Sequence, residues 1–144
     1  MYEDKHYFDL LEANDPVDEY MEVPPDFDWE TALERFNALF KALETKYPDA
    51  CTRSTTQDAT YLGEIIVNVR DGAAVTPIRV MISNFGKFAY VDLAHKGPSS
   101  GQIVSIEDIA EQQGYIVVPP HILHEPYSGK YRFATWRERY FSYL

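Results

Sequence analysis

His121 and His124 are the residues of this chain best spaced for metal chemistry, because side chains three apart on a helix share a face and could hold an ion with a third ligand from elsewhere. Their surroundings argue against it. Pro119 and Pro120 precede them and Pro126 follows, which leaves a single turn of helix, and the run His121-Ile122-Leu123-His124-Glu125 lacks the spacing of a zinc-protease motif. His6 and His95 are the only other histidines, and Cys51 has no second cysteine. The segment is expected to be a surface turn with Ile122 and Leu123 packed inward. No metal and no cofactor are expected.

Other reactive side chains lack the settings that their chemistry needs. Gly97-Pro98-Ser99-Ser100-Gly101 could offer amides to an anion, but the lysine of a P-loop and the spacing of a dinucleotide fingerprint are missing, so it reads as a connection. Cys51 has no base beside it, and Ser99, Ser100, Ser105 and Ser128 lack the context of a nucleophile elbow. No catalytic triad can be assembled, and the chain is expected not to be an enzyme.

Carboxylates are the abundant groups, and their placement carries the functional signal. Residues 1–30 hold eleven acids against the single base Lys5, while the remainder holds twelve acids and twelve bases, so the first thirty residues account for the whole net charge of −10. Phosphates would be repelled by that segment, which disfavours direct nucleic-acid binding and favours a basic partner. Aromatic and aliphatic residues (Tyr2, Tyr7, Phe8, Leu10, Leu11, Tyr20, Met21, Phe27) are interleaved with the acids, unlike a merely solvating tail. Asp9, Glu12, Asp15, Asp18, Glu19, Tyr20, Glu22 and Asp26 are the expected partner-binding residues. Tyr2, Tyr7, Tyr20, Tyr127 and Tyr131 lie in non-periodic segments and are expected to make contacts, whereas Trp29, Tyr47, Tyr90, Trp136 and Tyr140 fall at core positions.

The elements that must position these groups point to one α+β domain over residues 1–144, a length ordinary for a single core. Asp15-Pro16 and Pro24-Pro25 break residues 1–27 into short helical turns or extended pieces packed on the domain. A helix over 28–47 follows, with Asp28 as N-cap, apolar residues at Trp29, Leu33, Phe36, Phe40, Leu43 and Tyr47, and Pro48 ending it. Asp49 to Asp58 reads as a polar connection. An antiparallel meander of about four strands comes next: Thr60 to Val69, an Asp71-Gly72 turn, Val75 to Ser83 with Pro77 at an edge or bulge, Phe88 to Leu93, and a short strand over Tyr115 to Val118. Between the last two, Ser105 is expected to cap a short helix closed by Gly114. A final helix starts at Thr135, in a Thr-x-x-Glu capping box, and runs to the end of the chain.

In general build and acidity the helix–meander–helix body from Asp28 to the Thr135-Trp136-Arg137-Glu138-Arg139-Tyr140-Phe141 segment resembles the small immunity proteins of bacterial toxin–immunity systems. That resemblance implies an inhibitor that neutralises a basic cognate toxin. A DNA-mimicking inhibitor of a nucleic-acid enzyme and a small enzyme of another type are the rival readings. A single cysteine, a start without a basic apolar leader and the lack of any run near the roughly 18 residues of a membrane helix make a cytoplasmic, membrane-free protein the expectation.

Overall fold

The structure, a computed structural model, describes residues 3–15, 22–57, 59–93 and 100–142. Its centre is a five-stranded sheet in the order β1-β2-β3-β4-β5, with β1 Cys51–Thr55, β2 Tyr61–Asp71, β3 Ala74–Ser83, β4 Phe88–Leu93 and β5 Ile116–Val117. Strands β1 to β4 pair antiparallel with one another, whereas β5, expected to continue the antiparallel meander, lies parallel to β4 because the helical crossover between them returns the chain in the same direction. Among the described residues five helices complete the α+β fold: α1 Asp4–Ala13, α2 Trp29–Lys46, α3 Ser100–Gln112, the one-turn α4 Pro120–Leu123 and α5 Trp136–Tyr140.

Alternation along the strands divides the interior in two. Ile65, Val67, Ile78, Val80, Ile82, Ala89 and Val91 pack with Phe36, Leu39 and Leu43 of α2 and Ile106 and Ala110 of α3. The opposite set, Tyr61, Met81, Phe88 and Tyr90, packs with Tyr7 and Leu11 of α1, Ile122 and Leu123 of α4, and Trp136, Tyr140 and Phe141 at the α5 end. The sheet therefore has helices on both faces, which is why β4 opens Phe-Ala-Tyr-Val, with no polar residue before Asp92.

Local signals account for many of the boundaries. Asp28 accepts from the Thr31 amide at 3.3 Å and from its hydroxyl at 2.7 Å, which satisfies a donor that the first turn would otherwise leave open. Thr135 accepts from the Glu138 amide at the start of α5. Gly72, at φ 65°, closes the β2–β3 hairpin. Gly114, at φ 91°, ends α3 while the Tyr115 amide reaches back to the Ala110 carbonyl, the left-handed C-cap that a side chain would resist. Pro77 faces Asn68 of β2 but lies one residue beyond the β3–β4 ladder, which begins at Ile78, so its missing N–H costs that ladder nothing.

Several expectations are corrected. The stretch read as a polar connection contains β1, an edge strand whose side chains are mostly exposed. Its Thr-rich backbone pairs with β2, and hydrophobic alternation gave no sign of it. Helix α3 starts at Ser100 rather than after Ser105, and the Ser105 hydroxyl donates to the Gly101 carbonyl inside the helix instead of capping it. Ser100 and Gly101 accordingly belong to that helix, while Gly97, Pro98 and Ser99 of the expected connection, and His95 before it, lie outside the described residues. Helix α5 stops at Tyr140, with Phe141 as its C-cap. Ahead of Asp15-Pro16 the chain forms a ten-residue helix, longer than the turns expected there.

Candidate functional site

Of the eight acids and aromatics expected to meet a partner, Asp18, Glu19 and Tyr20 lie outside the described residues. Asp9, Glu12, Glu22 and Asp26 are exposed, with Asp9 paired to Lys5 at 3.0 Å. Asp15 is different. One carboxylate oxygen accepts from Arg139 Nε at 2.8 Å and the other from the Tyr127 hydroxyl at 2.6 Å, with only 8% of the Asp15 side chain and none of Arg139 exposed. Four rings, Phe85, Tyr131, Phe133 and Tyr140, surround the Arg139 guanidinium at 4.6–5.6 Å, so its charge is matched internally by Asp15 and by ring faces.

That network also sets phenol chemistry. Burial, reinforced by the Asp15 carboxylate, pushes the Tyr127 phenol up to about 12, and burial raises Tyr140 further. A phenol whose folded value exceeds its unfolded value of about 10 stabilises the fold fully below that pH. The contribution is lost as pH climbs through the folded value. Tyrosinate absorbance and circular dichroism followed together are therefore expected to show unfolding coupled to Tyr127 ionisation between about pH 10 and 12. Smooth ionisation without loss of structure would contradict the assignment.

The aromatic expectations sort unevenly. Tyr90, Trp136 and Tyr140 are core residues, and Tyr7, expected at the surface, is buried as well. Tyr47 is only half-buried, its hydroxyl donating to Gln102. Tyr127 and Tyr131 are half-buried, with Tyr127 edge-on to Trp136 at 4.8 Å. Trp29 overturns its core assignment: it is 42% exposed at the first position of α2, edge-on to Phe27 at 5.8 Å. Its neighbours in sequence are Asp26, Asp28 and Glu30. A second acidic group, Glu107, Asp108 and Glu111, lies on α3, where burial and the two neighbouring carboxylates push Glu107 above the usual carboxylate range.

The reactive residues considered at the outset have ordinary settings. His121 pairs with Asp4 at 3.0 Å on an exposed surface, Ile122 and Leu123 are buried, and among the described residues no three His, Cys, Asp or Glu side chains converge as a metal site. Burial and the Glu44 carboxylate push the Cys51 thiol up, away from thiolate reactivity. No helix among the described residues is long and apolar enough to cross a membrane.

One concavity has no local mark in the sequence because its walls come from segments far apart in the chain, Asn14 among them. A cleft of about 380 Å³ opens between residues 24–28, the first turns of α2, the β2 and β3 ends and Tyr115. Phe27, Leu62 and Ile82 give it apolar wall, Arg35 and Lys87 bring positive charge, and Asp26 and Asp28 bring negative charge. Asn84 and Tyr115 also line it. Asn84 donates through Nδ2 to the Glu22 and Ala59 carbonyls, at 3.1 Å each, which fixes the amide's orientation. Asn84 Oδ1 and the Tyr115 hydroxyl are then the two buried side-chain polar atoms without a hydrogen-bond partner among the described residues. Each such atom ordinarily costs about 1–3 kcal/mol.

No protein-family model, curated protein or solved structure matches the chain.

Proposed function

We propose that this chain is a binding protein of the immunity or inhibitor kind, which docks an acidic, aromatic-bearing surface on a basic protein partner, a cognate toxin, and blocks it. The observation that carries the reading is Trp29, 42% exposed although it shares the periodicity of the buried α2 stripe, and bracketed in sequence by Asp26, Asp28 and Glu30. Exposed tryptophan is costly to leave in water and is the residue type most enriched at binding hot spots. Exposed carboxylates at Glu12, Glu22 and Asp26 would speed encounter with a cationic surface, while the indole would supply contact area. On this reading the chain acts in the cytoplasm, without a cofactor, as an inhibitor rather than an enzyme.

The experiment compares capture of basic proteins from the source cell by the parent chain and by a Trp29→Ala variant. Truncation is expected to weaken the captured complex by roughly tenfold or more, since a hot-spot tryptophan commonly exceeds that loss. Neutralising Glu12, Glu22 and Asp26 together should slow association and flatten its dependence on salt. A partner indifferent to Trp29→Ala and to ionic strength, or turnover of a small molecule with no partner at all, would overturn the reading.

A further inference from the structure

We propose that the cleft lined by Arg35, Asn84 and Tyr115 is a binding site for a small monoanionic carboxylate that also carries an N–H or O–H donor and an apolar body, the chemistry of an acylated amino acid. The inference goes beyond partner docking and does not depend on it. Asn84 and Tyr115 are only 8% and 5% exposed, yet both leave a polar atom unmatched, and both line the same cleft. Two unmet groups at one concavity point to something that completes them.

The chemistry of the walls selects the ligand. Asn84 Oδ1 can only accept, so the ligand must present a donor to it. The Tyr115 hydroxyl can donate, and Arg35 has no carboxylate partner among the described residues, so together they suit a carboxylate. Burial raises the Tyr115 phenol and the Arg35 guanidinium opposes that shift, which couples the two groups electrostatically. Asp26 and Asp28 offset Arg35 and Lys87 around the cleft, a balance that disfavours a phosphate dianion more than a single negative charge placed against Arg35. Phe27, Leu62 and Ile82 provide the surface for an apolar side chain.

The test titrates the whole chain with N-acetyl-leucine, with N-acetyl-leucinamide, which lacks the charge, and with isocaproate, which lacks the donor, following backbone amide shifts. N-acetyl-leucine is expected to give saturable shifts at residues lining the cleft, with the other two probes weaker by roughly tenfold. Arg35→Met should weaken N-acetyl-leucine by a similar factor. Tyr115→Phe should also weaken it, while leaving thermal stability of the free protein unchanged or raised, because the hydroxyl it removes has no partner there. The proposal fails if N-acetyl-leucine produces no saturable shift, or if all three probes behave alike. It fails equally if Arg35→Met binds normally, or if Tyr115→Phe lowers stability without touching binding, which would make the hydroxyl a structural group satisfied by water.

Discussion

Asp15→Ala is expected to destabilise the protein by about 3–5 kcal/mol, a large share of what a domain of this size possesses. The loss comes from what remains. Arg139 has no exposed side-chain surface, so removing the Asp15 carboxylate takes a close, hydrogen-bonded counter-charge from a cation buried in an aromatic enclosure. The Tyr127 hydroxyl loses its acceptor in the same step. Joint replacement of Asp15 by Leu and Arg139 by Met should recover much of the loss, since a neutral pair of similar bulk removes the desolvated charge as well as its partner. Urea unfolding of the two single variants and the double variant measures this. A deficit below about 1 kcal/mol for Asp15→Ala would show that the guanidinium does not depend on this carboxylate. The result also bears on partner binding: neutralising Asp15 would confound affinity with folding, which is why Glu12, Glu22 and Asp26 are the informative acids.

Gly63→Ala is expected to cost about 2–3 kcal/mol and to loosen the β1 edge. A Cβ at position 63 would lie 2.4 Å from the Ser54 carbonyl oxygen, 3.1 Å from Thr55 Cα and 3.2 Å from the Phe36 ring. Two of those contacts are backbone and the third is a buried ring, so no flexible chain end can yield. Gly63 faces Thr55 in the ladder, next to the register shift between Tyr61 and Gly63. Hydrogen exchange at the Thr56 amide, which donates to the Leu62 carbonyl at 2.9 Å, should accelerate ahead of exchange in β3. Unchanged protection would mean that β1 shifts without losing its pairing.

The fold was readable wherever one local signal and one periodicity agreed. Asp28 before the Phe36, Leu39, Leu43 stripe defined α2, and Asp71-Gly72 between two β-branched runs defined the central hairpin. Phe88 and Tyr90 fall on one face of β4 and Ala89 and Val91 on the other, as strand alternation requires. Strand β1 escaped because an edge strand owes its existence to a ladder with β2, a partner that its own residues, Cys-Thr-Arg-Ser-Thr, do not announce. Periodicity assigned Trp29 to the α2 stripe but says nothing of whether the sheet reaches as far as the first turn. The Asp15–Arg139 pair and the cleft were hidden for a related reason. Their members are far apart in sequence, and nothing local to Asn84 or Tyr115 marks a polar atom left unmatched.

The bonds that seat α1 span very long stretches of chain: Arg139 to Asp15 across 124 residues, and the Tyr140 hydroxyl to the Leu11 carbonyl across 129. On a ribosome that adds about 5–20 residues per second, Leu11 and Asp15 wait on the order of ten seconds for those partners to emerge. Until then Tyr7, Leu11 and the aromatic face of the sheet have no cover from α5, and closing that face is necessarily a late event of folding. The acids interleaved in sequence with the early apolar residues leave the growing chain with a strong net negative charge through that interval. Like charge of that size disfavours contact between such partly covered chains.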